Sequence, residues 1–241
     1  MEIAQPEQIA AISHYSHDPR ATSVPMAWAM QFPAVSGAAE DVIAAEPDLV
    51  IAGPHVSIQT IAALKRLGIS LMQVAVPETV DESKEQISAI AKRIGRQQSG
   101  VSLNTRIDTA MAAADTDAPP VSALIWQGSG LVPGKGTLAD ELLTRTGFRN
   151  LSSSLGLKQW DILSLEGLLS DPPTILLAGQ ANMGAGNGDA NRMLSHPVLR
   201  KAGARIRVAH YPSSLLHCGG PVIMKSVARL VEVRRSLEAK P

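Results

Sequence analysis

The sequence predicts an α/β protein built as two parallel βα lobes joined by one long backbone helix, with a ligand cleft between the lobes. Two observations carry this. Residues 40–53 (EDVIAAEPDLVIAG) and 166–179 (EGLLSDPPTILLAG) align without a gap, pairing Glu40 with Glu166, Pro47 with Pro173 and Ala52-Gly53 with Ala178-Gly179. A module used twice implies two similar structural units. Between the copies, Val80–Ala114 contains no proline and places its apolar residues mostly at three- and four-residue steps, the period of a helix.

The elements follow in order. Gln8–Ser13 (QIAAIS) reads as the opening strand of the first lobe, with the loop HYSHDPRAT after it. Glu40 to Gly53 is the end of a helix, a proline stop, a short buried strand and a glycine turn. Ile58–Leu67 has helical spacing, with Ser57 as a cap. Gly68 ends that helix, and Ser70–Val76 is the next strand. A strand–helix–strand unit predicts a parallel pair. Val80–Ala114 would span about 50 Å at 1.5 Å per residue if continuous. Asp81 and Glu82 suit its amino end. Gly95 and Gly100 leave open a second reading, two helices joined near them. Asp115–Pro120 is a polar connection. Val121–Trp126 is then a strand, Gln127–Gly136 a glycine-rich loop, and Thr137 the start of a helix. Ala204–Ala209 reads as a strand and Val222–Leu237 as the terminal helix. The domain boundaries are therefore 1–79 for the first lobe, 80–114 for the connecting helix and 115–241 for the second lobe.

Composition excludes several functions. Lys+Arg and Asp+Glu are both 22, so the net charge is zero, which argues against a nucleic-acid partner. Aromatic residues make up only 3%. The longest apolar runs are too short for a membrane span. The stretch MEIAQPEQIAAIS has no signal-peptide pattern. The single cysteine, Cys218, cannot form an internal disulfide and reads as a small buried residue.

Ligands in open α/β sheets sit beyond the carboxyl ends of the strands. That rule selects the loops at 14–22, 53–57, 127–136, 180–191 and 211–221. In the first, His14 and Tyr15 lie nearest the strand end and suit a polar or metal-bearing ligand. His17 and Asp18 read instead as loop structure, with Asp18 closing a turn before Pro19. His55 follows Gly53-Pro54 directly after a strand. Trp126 and Gln127 end the first strand of the second lobe, where tryptophan either stacks on a flat ligand or sits half-buried. Met183 and Asn187 lie in a glycine-rich loop that matches neither a phosphate loop nor a dinucleotide motif. His217 precedes a Gly-Gly-Pro turn that implies close backbone approach. Trp28 and Trp160 read as packing residues.

The pieces EPDLVIAG, LKRLGISLMQV, GTLADELLTRTGFRNL, LSHPVLRKAGARIRV and CGGPVIMKSVARL, in this order and spacing, resemble the helical-backbone solute-binding proteins of ABC importers. That family comprises periplasmic iron-siderophore and cobalamin binders. The resemblance covers nearly the whole chain. It implies two Rossmann-like lobes with little hinge motion, a metal chelate or tetrapyrrole-like ligand held between them, delivery to an inner-membrane permease, a periplasmic location and no cofactor. Three departures stand out. Members begin with a signal or anchor, then a strand and helix ahead of the segment that starts here. They also place an exposed glutamate on each lobe for the permease, whereas the first lobe here reads SIQTIAALKR and docking glutamates are not evident. Cobalamin binders line the cleft with several aromatics, and few are available here.

The leading reading is a binding protein, not an enzyme, for a ferric siderophore, a corrinoid or haem, with His14, Tyr15, His55, Trp126, Gln127, Met183 and His217 as ligand contacts. The alternative is direct capture of Zn²⁺ or Mn²⁺ by His14, His55 and His217, with Asp18 or Asp189 as a fourth ligand. A chelatase-like enzyme on a related fold is the third.

Overall fold

The repeated module folds the same way twice. A computed structural model describes residues 2–19, 21–127, 130–179, 206–216 and 219–238. In the first copy, helix Ala39–Ala44 leads to strand Leu49–Ala52. In the second, helix Leu165–Ser170 leads to strand Ile175–Ala178. The boundaries coincide position for position in the alignment. Each helix stops short of a proline at Pro47 or Pro173, which cannot continue it. The four apolar residues that follow then form a strand.

The described strands are β1 (Ile12–Ser13), β2 (Ala34–Val35), β3 (Leu49–Ala52), β4 (Ser70–Gln73), β5 (Val121–Trp126), β6 (Leu131–Pro133), β7 (Phe148–Asn150), β8 (Trp160–Ile162), β9 (Ile175–Ala178) and β10 (Arg207–His210). The α-helices are α1 (Met26–Ala29), α2 (Ala39–Ala44), α3 (Ile58–Arg66), α4 (Val80–Arg93), α5 (Gln97–Ala112), α6 (Leu138–Arg145), α7 (Leu151–Ser154), α8 (Leu165–Ser170) and α9 (Val222–Glu238). No helix among the described residues is long and apolar enough to cross a membrane.

The chain divides into two compact units. One gathers Met1–Pro77, Glu82–Asn104 and His217–Gly220. The other gathers Glu78–Asp81, Thr105–Leu216 and Pro221–Pro241. Helix α5 is shared between them, its residues parting at Asn104.

In the first unit, β1 pairs with β2 and β3 with β4, both parallel. Ser57 caps α3 by accepting from the Thr60 N–H at 3.0 Å, as its position predicts. The opening strand is shorter than expected. Residues Pro6–Gln8 form a 3-10 turn, and only Ile12–Ser13 pair. Ile12, Ala29 and Phe32 form a small core, with Trp28 packed against it.

Val80–Ala114 is not one helix. α4 ends at Arg93 and α5 begins at Gln97. Gly95 takes a left-handed φ of 70°, a conformation that costs glycine little and other residues more. Its N–H donates to the Lys92 carbonyl at 3.3 Å, and the Arg96 N–H to the Ala91 carbonyl at 2.7 Å. These two bonds form a Schellman C-cap. The chain then folds back. A Cβ on Gly100 would lie 2.5 Å from Ala91 Cβ, and Asn104 Nδ2 donates to the Lys84 carbonyl at 3.0 Å. The expected strut is therefore an antiparallel helical hairpin. Its apolar spacing runs unbroken through the turn because both helices bury one face, so the pattern gives no sign of the reversal.

In the second unit, a four-stranded all-parallel sheet has the order β10-β9-β5-β7. Leu124, Trp126, Val132, Leu151, Leu163, Leu168, Leu176 and Ile206 form its core. Thr137 caps α6 by accepting from the Asp140 N–H. A ribbon not foreseen from sequence pairs β6, inside the glycine-rich loop, antiparallel to β8. A buried polar network fixes that loop. Asn150 Nδ2 donates to the Pro133 carbonyl at 2.9 Å and to Asp140 Oδ1 at 2.8 Å, and Ser152 Oγ donates to the Pro133 carbonyl at 2.7 Å. Trp160 departs from its expected packing role. It lies on β8, whose three residues are all exposed.

Helix α9 buries Val222, Ile223, Val227, Leu230 and Val233. It also presents Ser226 to the hydroxyl of the fully buried Tyr211. Burial pushes Tyr211 up to about 12 from 10.0, and the Ser226 bond opposes this in part. A phenol that ionises later in the folded state stabilises the fold below pH 10 and loses that contribution as pH rises towards 12. The expected result is a fall in unfolding free energy of about 3 kcal/mol across that window. Denaturant titrations at stepped pH should show a shallower fall for Tyr211→Phe.

Candidate functional site

The strand-end loops of the first unit carry exposed donors. Directly after β1, His14–His17 form a 3-10 turn whose cap, Ser13 Oγ, accepts from the Tyr15 N–H. This tight turn puts two neighbouring rings side by side. His14 and Tyr15 have centroids 4.1 Å apart at 34°. Tyr15 is 64% exposed, unusual for a large aromatic residue. His14 Nδ1 lies 3.3 Å from the Val35 carbonyl on the neighbouring strand. A carbonyl only accepts, so this contact assigns a proton to Nδ1, and in the neutral ring Nε2 then carries the lone pair. This is how metal-ligating histidines are held. A phenol oxygen and an imidazole nitrogen thus stand at one strand end.

His17 is occupied differently. Its Nε2 donates to the Ala29 carbonyl at 3.0 Å, fastening the turn to α1. The Asp18 carbonyl accepts from the N–H groups of Ala21 and Thr22, closing the next turn. Both residues serve loop structure, in agreement with their sequence reading. His55 is exposed in the turn between β3 and α3. Beside it Ile58, at the first position of α3, is 81% exposed. The sequence reading missed Ile58. Its signal was an apolar residue at a helix start beyond a strand, where acids are usual.

In the second unit the strand-end residues split. Trp126 is only 2% exposed and belongs to the core. This corrects its reading as a stacking platform: the side chain leaves the sheet on the face that carries Leu124, Val132, Leu163 and Leu176, and Gly130 lies so near that a Cβ there would stand 3.6 Å from Trp126 Cη2. Gln127 is half-buried, and among the described residues its Nε2 has no hydrogen-bond partner. It stands at the position the strand-end rule selects. Met183, Asn187, Asp189, His217 and Cys218 lie outside the described residues. The turn after them does approach closely, with the Gly220 N–H donating to Ser83 Oγ at 2.6 Å.

Among the described residues, no three His, Cys, Asp or Glu side chains are grouped to hold a metal ion. Two of the proposed direct ligands, His14 and His55, are described, and neither belongs to such a group.

Parallel βα units with exposed donors at their strand ends define an α/β ligand-binding protein. The chain belongs to the periplasmic binding protein family, whose profile matches residues 2–215. The fold is similar to solved structures of that kind. The periplasmic heme-binding protein HutB of Vibrio cholerae matches with TM-score 0.75 and 18% identity, over 95% of this chain and 91% of that one. A periplasmic heme-binding protein from Pseudomonas aeruginosa matches with TM-score 0.74 and 21% identity, over 96% and 86%. The periplasmic vitamin B12-binding protein BtuF of Vibrio cholerae matches with TM-score 0.69 and 16% identity, over 96% and 89%. A comparison with curated protein sequences found no match.

Proposed function

We propose that this chain is the substrate-binding component of an ABC importer, working in the periplasm, and that its cargo is a ferric chelate, best fitted by haem. It is a carrier and performs no chemistry on its cargo. The observation that carries this reading is the His14–Tyr15 pair. Phenolate oxygen is a hard, anionic donor that suits Fe³⁺, and tyrosine and histidine are both known haem-iron ligands. His14 Nδ1 is engaged with the Val35 carbonyl, which leaves Nε2 as the ring nitrogen for a ligand. The similar folds named for heme and vitamin B12 support a metal chelate as the class of cargo. The scarcity of aromatic residues, 3% of the chain, favours haem or a siderophore over a corrinoid.

The test is a titration of the protein at micromolar concentration with hemin, a ferric hydroxamate and cyanocobalamin, followed by tryptophan fluorescence. Saturable quenching is expected with hemin and a weaker response with cobalamin. No change with any of the three would overturn the reading, and a response to cobalamin alone would move the cargo to a corrinoid.

A further inference from the structure

The β6–β8 ribbon carries an apolar strip with a cationic end. It opens at the carboxyl end of β5, where the Gln127 N–H donates to the Leu131 carbonyl at 2.9 Å. Its register pairs Leu131 with Ile162 and Pro133 with Trp160, and Lys135 then stands opposite Lys158. Side chains alternate between the two faces of a strand. Val132 belongs to the core, so the rows Leu131–Ile162 and Pro133–Trp160 lie on the other face. There Ile162 is 58% exposed and Trp160 41%. The strip ends in the row of two lysines, both exposed.

That end is held rigidly. The Gly134 N–H donates to the Gln159 carbonyl at 2.6 Å, the Lys135 N–H to the Leu157 carbonyl at 2.8 Å, and the Gln159 N–H to the Lys135 carbonyl at 2.9 Å. Thr137 Oγ1 donates to the Gly134 carbonyl at 2.9 Å. A Cβ on Gly134 would stand 2.4 Å from the Leu157 oxygen, so the two segments meet backbone to backbone. Gln159, between Lys158 and Trp160, has a φ of 54°, in the left-handed region that residues other than glycine rarely adopt. Its side chain is tied down too, donating to Glu78 Oε1 at 2.9 Å. Backbone strain of this kind persists where the surroundings over-determine it, and it gathers at ligand clamps. Like charges set directly opposite one another repel, and an anion shared between them removes the repulsion.

We propose that the Lys135–Lys158 row recognises paired carboxylates on one edge of the cargo, whose flat apolar face lies along Trp160 and Ile162. This rests on the reading of the cargo as a ferric chelate and narrows it. Haem carries two carboxylates on one edge of an apolar ring. Cobalamin carries amides in place of carboxylates, and a ferric tris-hydroxamate has no net charge. An indole suits the face of such a ring, and lysine meets an anion as a point charge on a flexible stem.

The test compares hemin with its dimethyl ester by titration of the Soret band at one fixed ionic strength. The wild-type chain should bind hemin at least tenfold more tightly than the ester. The double variant Lys135→Gln/Lys158→Gln should bind hemin at least tenfold more weakly and the ester as before. Lys135→Arg/Lys158→Arg, which keeps both charges, should keep the preference. The unfolding midpoint of the glutamine variant should equal or exceed that of wild type, since two opposed charges are gone. Equal wild-type affinity for hemin and ester would overturn the carboxylate row and leave haem as the cargo. A preference that survives in the glutamine variant would assign the carboxylates to other residues and overturn the row as well. No binding of hemin would overturn the reading of the cargo, and this inference with it.

Discussion

Tyr15→Phe is expected to weaken hemin binding at least tenfold, about 1.4 kcal/mol, while leaving the fold intact. The substitution removes one oxygen from a side chain that is 64% exposed and whose ring already rests against His14. The ring contact survives and the proposed iron ligand does not. Surface changes of this kind usually shift stability by no more than about 0.5 kcal/mol. A change in affinity without a change in unfolding midpoint therefore isolates the phenol oxygen. His14→Ala should also weaken binding, since it removes the neighbouring nitrogen and the ring that supports Tyr15. Isothermal titration with hemin, alongside denaturant unfolding of each variant, checks both expectations. Equal affinity for wild type and Tyr15→Phe would remove Tyr15 from the site.

Trp126→Ala should act in the opposite way, on the fold rather than on the ligand. Its side chain is enclosed among Leu124, Val132, Leu163 and Leu176. Emptying such a site costs about 3–5 kcal/mol, a large share of the roughly 5–15 kcal/mol that holds a typical domain together. Trp126→Phe should cost much less. Phenylalanine refills most of the volume and removes the Nε1–H, which is buried without a partner among the described residues. The phenylalanine variant should therefore bind hemin as wild type does. If it unfolds like wild type but loses hemin, the indole is a ligand contact after all. Chemical denaturation followed by circular dichroism, with hemin titration of the folded variant, separates the two roles.

Much of the fold is legible in local sequence. The two proline-stopped modules predicted α2–β3 and α8–β9, because a short apolar run bounded by proline and glycine has few alternatives. Ser57 and Thr137 were readable as caps from their position before a periodic run. Features set by tertiary pairing were not readable. The reversal at Gly95 leaves the apolar period of α4 and α5 intact, since both helices bury one face, so periodicity alone favoured a single rod. The β6–β8 ribbon joins segments far apart in sequence, and neither has a strong strand pattern. At the candidate site, the strand-end rule selects His14, Tyr15, His55 and Gln127 by position alone, and the structure leaves the first three exposed and Gln127 half-buried. It misjudged Trp126, because the last residue of a central strand can point into the core as readily as out of it. The tautomer of His14 depends on Val35, a residue on another strand, and no local pattern contains it.

The central claim is that the phenol of Tyr15 meets the iron of a ferric chelate. Resonance Raman spectroscopy of the hemin complex tests it most directly. Excitation in the visible should enhance tyrosinate ring modes through a phenolate-to-iron charge-transfer band, and these modes should vanish in Tyr15→Phe. A hemin complex that forms with full affinity and lacks tyrosinate modes in the wild-type protein would contradict the account.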